Sequence, residues 1–236
     1  MDRALIDDLV AANHILTDQG VLDGFGHVSI RHPANPSRFL MSRSLAPALV
    51  SADDIMEYDL DGNPVDARGR ASFLERFIHG EIYRARPDVN SVIHSHSPAV
   101  IPFGVTQVPL RPLFHMPSFL SPRVPIFEIR RAGGMTNMLV GNSQLGKALA
   151  ETLGDRPVVL MRGHGNVVVA PMLSLAVFRA IYTEVNARIE TQAIMLGGPI
   201  TFLEPEEAEK ATQTNTQVHL RAWELWKRDA LAKRAK

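Results

Sequence analysis

The chain has 236 residues, 45% hydrophobic and 21% charged, a balance that suits a soluble globular protein with a substantial core. Lys plus Arg and Asp plus Glu are equal at 25 each, so no net field recruits nucleic acid or an anionic membrane surface. Cysteine is absent, which excludes disulfides, thiolate metal sites and cysteine nucleophiles and leaves Asp, Glu and nine His as candidate ligands.

The N-terminal segment opens an amphipathic pattern without a signal-peptide apolar core, and no apolar run approaches the roughly 20 residues of a membrane span, so a cytoplasmic protein is expected. Leu5, Ile6, Leu9, Ala12 and Leu16 recur at helical spacing, and Gly20 stands where a glycine cap would. This predicts a helix over roughly 4–18, with His14 as a surface or packing histidine. Gly24 and Gly26 permit a tight turn before Val28-Ser29-Ile30-Arg31, which alternates as a strand. Arg38 to Ser42 reads as its hairpin partner. Gly24-x-Gly26 carries neither the dinucleotide fingerprint nor the Walker pattern. The loop Ser42-Arg43-Ser44-Leu45-Ala46-Pro47 is polar and cationic, and reads either as a solvated turn or as an anion clamp.

Ile55 to Leu60 is a third strand, closed by the turn Asp61-Gly62-Asn63-Pro64. Ser72 to Tyr83 reads as a helix with Ser72 and Glu75 as a capping box and Leu74, Phe77, Ile78 and Ile82 as its buried stripe. On that helix Glu75 and His79 would lie one turn apart on one face. The next strand, Val89 to Ile93, ends in His94-Ser95-His96. Residues i and i+2 of a strand share a face, so the two imidazoles converge. They are either half of a divalent-metal site or two surface histidines at a strand end.

Ser97-Pro98 would start a helix with proline in its first turn. Residues 102–126 are proline-rich and irregular, and hold Arg111 and His115 in what reads as a binding loop. Asn142 to Leu153 is a helix stopped by Gly154, and Pro157 to Met161 a strand. In the turn Arg162-Gly163-His164-Gly165-Asn166, glycine on both sides of His164 leaves room for a ligand. Val167 to Ala170 is another strand, and Leu173 to Met195 a long helix stopped by Gly197-Gly198. A second long helix over about 205–233 starts acidic and ends basic, complementing its dipole. Its Trp223 and Trp226 would pack on the domain body or cover a neighbouring subunit.

Glu75-x-x-x-His79, Arg86-Pro87-Asp88-Val89 and Val92-Ile93-His94-Ser95-His96-Ser97-Pro98, completed by His164, resemble the class II aldolase/adducin family over roughly residues 5–200. The resemblance implies a single domain over 1–236. It implies an α/β fold, three-layer α/β/α around a central mostly antiparallel sheet, in a homotetramer with active sites at subunit interfaces. It makes His94, His96 and His164 metal ligands and Glu75 the catalytic acid/base. Three neutral imidazoles leave one or two positions open, as catalytic sites do. A metal there could polarise a bound oxygen while a nearby carboxylate carries a proton. One divalent ion per subunit is expected, Zn2+ or Mn2+, with Fe2+ and Co2+ open.

Sugar-phosphate aldolases of the family carry Gly-Asn, a Thr-Pro-Ser-Gly-like loop and Ser-Ser where this chain has Gly26-His27, Ser42-Arg43-Ser44-Leu45 and Ser72-Phe73. Small groups that cradle phosphate are replaced by larger, partly aromatic ones and a guanidinium suited to carboxylates. This variant is similar to the family's decarboxylases of dihydroxyphthalates and hydroxypyridine dicarboxylates. The resemblance then implies metal-dependent, non-oxidative decarboxylation of a hydroxy-substituted aromatic or pyridine (di)carboxylate through a metal-stabilised enolate-like intermediate. Glu75, His79 and His115 would be catalytic, and His27, Ser42, Arg43, Ser44 and Ser72 would bind substrate. The alternative is a sugar or sugar-phosphate aldolase or epimerase; a carbon-carbon lyase is expected, a carboxy-lyase or, in the alternative, an aldehyde-lyase. The expected partner is a small aromatic acid, with neither nucleic acid nor membrane.

Overall fold

In the computed structural model, which describes residues 3–234, the first apolar stripe forms helix α1 (Arg3–Asp18), burying Leu9, Ala12, Ile15 and Leu16. Strands β1 (His27–Arg31), β2 (Arg38–Ser42) and β3 (Ile55–Asp59) follow, then α2 (Phe77–Ala85), β4 (Ser91–Ser95) and the short α3 (Ile101–Val105). Next come β5 (Ile126–Phe127), α4 (Ile129–Gly133), α5 (Ser143–Leu153), β6 (Val158–Met161) and β7 (Gly165–Ala170). Helices α6 (Leu173–Leu196), α7 (Pro205–Val218) and α8 (Leu220–Arg234) close the described chain. Among the described residues, no helix is long and apolar enough to cross a membrane.

The strands form one seven-stranded sheet in the order β3-β2-β1-β4-β7-β6-β5. Every pairing is antiparallel except β5 with β6, so the sheet is mixed but mostly antiparallel. Alternation divides its side chains between two cores. Val28, Ile30, Leu40, Ile93 and Val168 join residues of α1, α6 and α8 on one face. Phe39, Met41, Tyr58, Val92, Val167 and Val169 join those of α2 and α5 on the other. Each large aliphatic side chain so buried contributes about 1.5–3 kcal/mol. By the same parity, His27, Ser29 and His94 share the α2 face with Val92.

Several boundaries differ from the sequence reading. The predicted helix over 72–83 starts only at Phe77. Ser72 is no cap: its hydroxyl lies 3.2 Å from the Tyr58 hydroxyl. Leu74 is 67% exposed rather than part of a buried stripe. Glu75 precedes the helix, so it does not share a helix face with His79, and its carboxylate accepts the Val140 backbone N–H at 2.9 Å. Tertiary partners thus take the carboxylate that a capping box would have used. Helix α2 instead presses close to its neighbours, for a Cβ on Gly80 would stand 2.2 Å from the Leu60 carbonyl oxygen.

The helix expected over 205–233 is interrupted at His219. The His219 Nδ1 lies 2.8 Å from the Thr216 carbonyl oxygen, the acceptor that the Leu220 N–H would use in an unbroken helix. Its Nε2 lies 2.9 Å from the Ser174 hydroxyl and ties the break to α6. Trp223 is buried and Trp226 half-buried against the first core of their own chain. Ser97-Pro98 is a turn, and α3 begins at Ile101 with Pro102 in its first turn. Strand β7 begins at Gly165, two residues early. Its β5 neighbour-but-one and α4 have no periodic signal, being two and five residues long.

Candidate metal centre

The site is a consequence of the β4–β7 pairing. Ser95 lies opposite Asn166, which sets the end of β4 beside the start of β7. A Cβ on Gly165 would stand 2.0 Å from the Ser95 carbonyl oxygen, so only glycine lets the two backbones approach this closely. That approach carries His164 to His96, with their Nε2 atoms 3.1 Å apart. Glu75 closes the group, its Oε2 3.4 Å from both His94 Nε2 and His164 Nε2. One ligand atom from each of Glu75, His94, His96 and His164 lies within 4.8 Å of all the others.

The far sides of two rings explain why their lone pairs converge. His94 Nδ1 stands 3.2 Å from the Asn166 carbonyl oxygen, and His164 Nδ1 2.9 Å from that of Met138. Each Nδ1–H donates to its carbonyl, which leaves each Nε2 as an acceptor directed at the centre. The His94 Nε2 is buried with no hydrogen-bond partner. A cation would satisfy it, so these residues fit a divalent metal.

Burial alone would raise the Glu75 carboxyl, but the His94 and His164 imidazoles outweigh it and hold the group well below the usual carboxylate range. Burial would lower His164, but the Glu75 carboxylate reverses the sign and its pKa is raised. His96 is pushed down to about 4, first by burial and then by His94 and His164.

A second group of side chains lies beside the first. His27 is opposite His94 in the β1–β4 register. Its Nδ1 stands 2.6 Å from His79 Nε2, whose Nδ1 stands 2.5 Å from the Ser29 hydroxyl, itself 2.7 Å from the Tyr83 hydroxyl. Burial is the first cause that pushes His79 down to about 3 and His27 well below its ordinary value. Both imidazoles are therefore neutral in the folded chain, while the unfolded chain protonates them below about pH 6.5. A depressed histidine pKa leaves stability intact above 6.5 and erodes it as pH falls, by up to about 1.4 kcal/mol per pH unit per imidazole. Thermal melts should show Tm dropping between about pH 7 and about pH 5, and a flat Tm would count against the neutral pair.

A cavity of about 410 Å³ opens against the cluster. His27, Ser44, Glu75 and His96 line it together with Phe25, Phe73, Leu45, Leu74 and Leu139. Five other residues expected from the sequence stand elsewhere or behind this surface. Ser42 is buried on the same face of β2 as Leu40, opposite His27. The Arg43 guanidinium is turned to Asp54 at 2.6 Å, so it does not line the cavity. Ser72 is engaged with Tyr58. His79 is fully buried beneath His27 rather than open to the cavity. His115 is exposed in its loop, with its carbonyl bonded to the Asn215 side chain of α7 at 2.7 Å.

Sequence reasoning missed Ser29 and Tyr83, although period two from His27 and period four from His79 point to them. It also missed the backbone of Met138 and Val140, which carries no side-chain signal.

The description "Class II Aldolase and Adducin N-terminal domain" matches residues 7–191. Decarboxylase tropJ of Talaromyces stipitatus is 41% identical over 244 residues, spanning 93% of this chain and 91% of its own. The 3,4-dihydroxyphthalate decarboxylase of Arthrobacter keyseri is 33% identical over 210 residues, spanning 83% and 81%. Among solved structures, L-fuculose 1-phosphate aldolase from Glaciozyma antarctica PI12 aligns with a TM-score of 0.82 over 99% of this chain and 91% of its own. At 21% identity that likeness is one of fold.

Proposed function

This chain belongs to the class II aldolase and adducin family and is a carbon-carbon lyase, and from that premise we propose that it is a metal-dependent, non-oxidative decarboxylase of a hydroxy-substituted aromatic or pyridine carboxylate. The observation that carries the reading is the wall of the cavity. Its surface beside Glu75 and His96 is aromatic and aliphatic, with Phe73 and His27 rings 4.7 Å apart. Such a wall suits a flat ring better than a phosphate, which needs several donors. The similarity to two decarboxylases supports the same choice.

His94, His96 and His164 would hold the divalent ion, Zn2+ or Mn2+, which when bound stabilises negative charge developing on the ring oxygen. The remaining work falls to the chain. Phe73, Leu45 and Leu139 seat the ring and exclude water. Glu75 enters the reaction as a carboxylate and takes the proton of the ring hydroxyl. It returns that proton to the ring carbon bearing the carboxylate. The carbon-carbon bond then breaks, CO2 leaves, and its electron pair restores the aromatic ring as a phenolate that solvent protonates. His27 presents its free ring nitrogen to the substrate, held in orientation by His79, Ser29 and Tyr83. The exposed Phe25 and Leu74 at the cavity's mouth support a homotetramer in which a neighbouring subunit completes the wall.

The test is CO2 release from hydroxyaromatic mono- and dicarboxylates by the metal-loaded protein. Turnover of an ortho-hydroxy acid, insensitive to inorganic phosphate, is expected. Cleavage of a sugar phosphate with inhibition by phosphate, and no CO2 from any such acid, would replace this reading with the aldolase one.

A further inference from the structure

A larger cavity, about 550 Å³, lies at the other end of the same strands. It meets the chain before β4 at Val89 and the end of β7 at Val169 and Ala170, whereas the metal cluster sits at the end of β4 and the start of β7. The two are a strand length apart, on the order of 15 Å, and share no lining residue. We infer that this second cavity binds a small monoanionic carboxylate with an apolar body, seated on the Arg179 guanidinium.

Arg179 rises from the second turn of α6 and is half-buried. One N–H donates to the Val169 carbonyl at 2.7 Å, and the guanidinium carbon stands 5.8 Å from the centre of the Phe119 ring. Among the described residues no ion pair of Arg179 is found, and the Val169 carbonyl is the protein acceptor its N–H groups reach. A guanidinium carries five donors in a planar fork, so a free edge remains for a carboxylate. The neighbouring Arg86 differs in this respect. Its fork holds Asp88 at 2.8 and 2.7 Å, and its third nitrogen bonds the Gly154 carbonyl at 2.6 Å. Burial, then Arg86, pulls Arg179 down to about 10: it is still charged at neutral pH, but in surroundings that an anion would relieve.

The charge around the cavity selects among anions. Asp88, Asp155 and Glu209 also line it, but they stand at the rim, with the Asp155 side chain 96% exposed and that of Asp88 63% exposed. Solvent and salt screen the rim charges more than the half-buried guanidinium. With Arg86 paired to Asp88, a phosphate dianion would meet one free cation and the two rim carboxylates of Asp155 and Glu209. A monoanion needs only the one cation, and Phe119, Val89 and Pro122 offer apolar surface to its body.

The probe is para-fluorobenzoate, followed by fluorine NMR on the full chain. Because an aromatic acid also suits the cavity beside the metal cluster, Phe73→Ala serves to identify any resonance from that site. A second bound resonance, unmoved by Phe73→Ala, is expected in the wild type. Arg179→Gln should weaken it about tenfold or more, the cost of losing a charge-assisted pair. Arg179→Lys keeps the charge but loses the fork, and should weaken it less. Glu209→Gln, an exposed change, should bind as tightly as wild type or tighter. Should Arg179→Gln not fold, the Lys and Glu209→Gln variants still rank the affinities. Binding unchanged in Arg179→Gln or Arg179→Lys would overturn the assignment, and so would inorganic phosphate displacing the probe as well as benzoate does.

Discussion

Alanine in place of His94 is expected to abolish tight metal binding and, with it, turnover. His94 is fully buried, and its Nε2 is an acceptor with no protein donor. Its other nitrogen is committed to the Asn166 carbonyl. The ring can therefore neither rotate away nor find water, and its contribution is directed at the centre of the cluster. Removing an outer partner of a metal ligand costs about 10–100-fold in affinity, so removing this ligand should cost more than 100-fold. The fold should survive, because truncating one ring at a strand end leaves the β4–β7 pairing intact. Metal content after dialysis against a weak chelator, beside a far-ultraviolet spectrum, checks both statements. His14→Ala is the control, since that imidazole bonds only the Val50 carbonyl on the opposite face. A His94→Ala protein that keeps its metal through dialysis as the wild type does would remove His94 from the ligand set.

The three histidines were legible in the sequence because two simple rules reach them. Period two along a strand puts His94 and His96 on one side, and glycine on both sides of His164 announces a close approach. The structure turns that second signal into a distance, with Gly165 against the Ser95 carbonyl. The sheet strands other than β5 were legible for a similar reason, since β1 and β3 alternate and β2, β4, β6 and β7 carry short apolar runs. Where the sequence misled, a tertiary partner outbid a local one. Ser72 and Glu75 have the spacing of a capping box, but Glu75 is held by Val140, 65 residues away, and by two imidazoles. Arg43 looks like an anion clamp in a cationic loop until Asp54, across the loop, takes its guanidinium. His79 was legible as chemistry-bearing but not as buried beneath His27, because its depth depends on how α2 meets β1. The kink at His219 depends on one imidazole bonding the carbonyl three residues earlier, which helical periodicity does not encode.

Glutamine at position 75 should leave the fold nearly unchanged and cost about 10²–10⁴ in turnover, the usual worth of a positioned proton carrier. The amide oxygen can still accept the Val140 N–H, so the segment before α2 keeps its anchor. What is lost is the second oxygen, 3.4 Å from His94 Nε2 and His164 Nε2, which as a carboxylate accepts a proton and as an amide does not. Glu75→Ala removes the anchor as well and should add about 1–3 kcal/mol of destabilisation, the cost of an unsatisfied buried N–H. The Gln variant also separates the two roles that the geometry offers this carboxylate. If Glu75 carries the proton, metal content stays at the wild-type level while kcat collapses and KM moves little. If Glu75 is itself a ligand, metal affinity falls along with kcat, and adding excess metal restores part of the rate. Since the neighbouring imidazoles hold the carboxyl well below its usual range, the wild-type rate should show no limb from Glu75 ionisation above pH 5 or so. A Glu75→Gln protein with full turnover would exclude both roles, because neither a proton carrier nor a charged ligand survives that change.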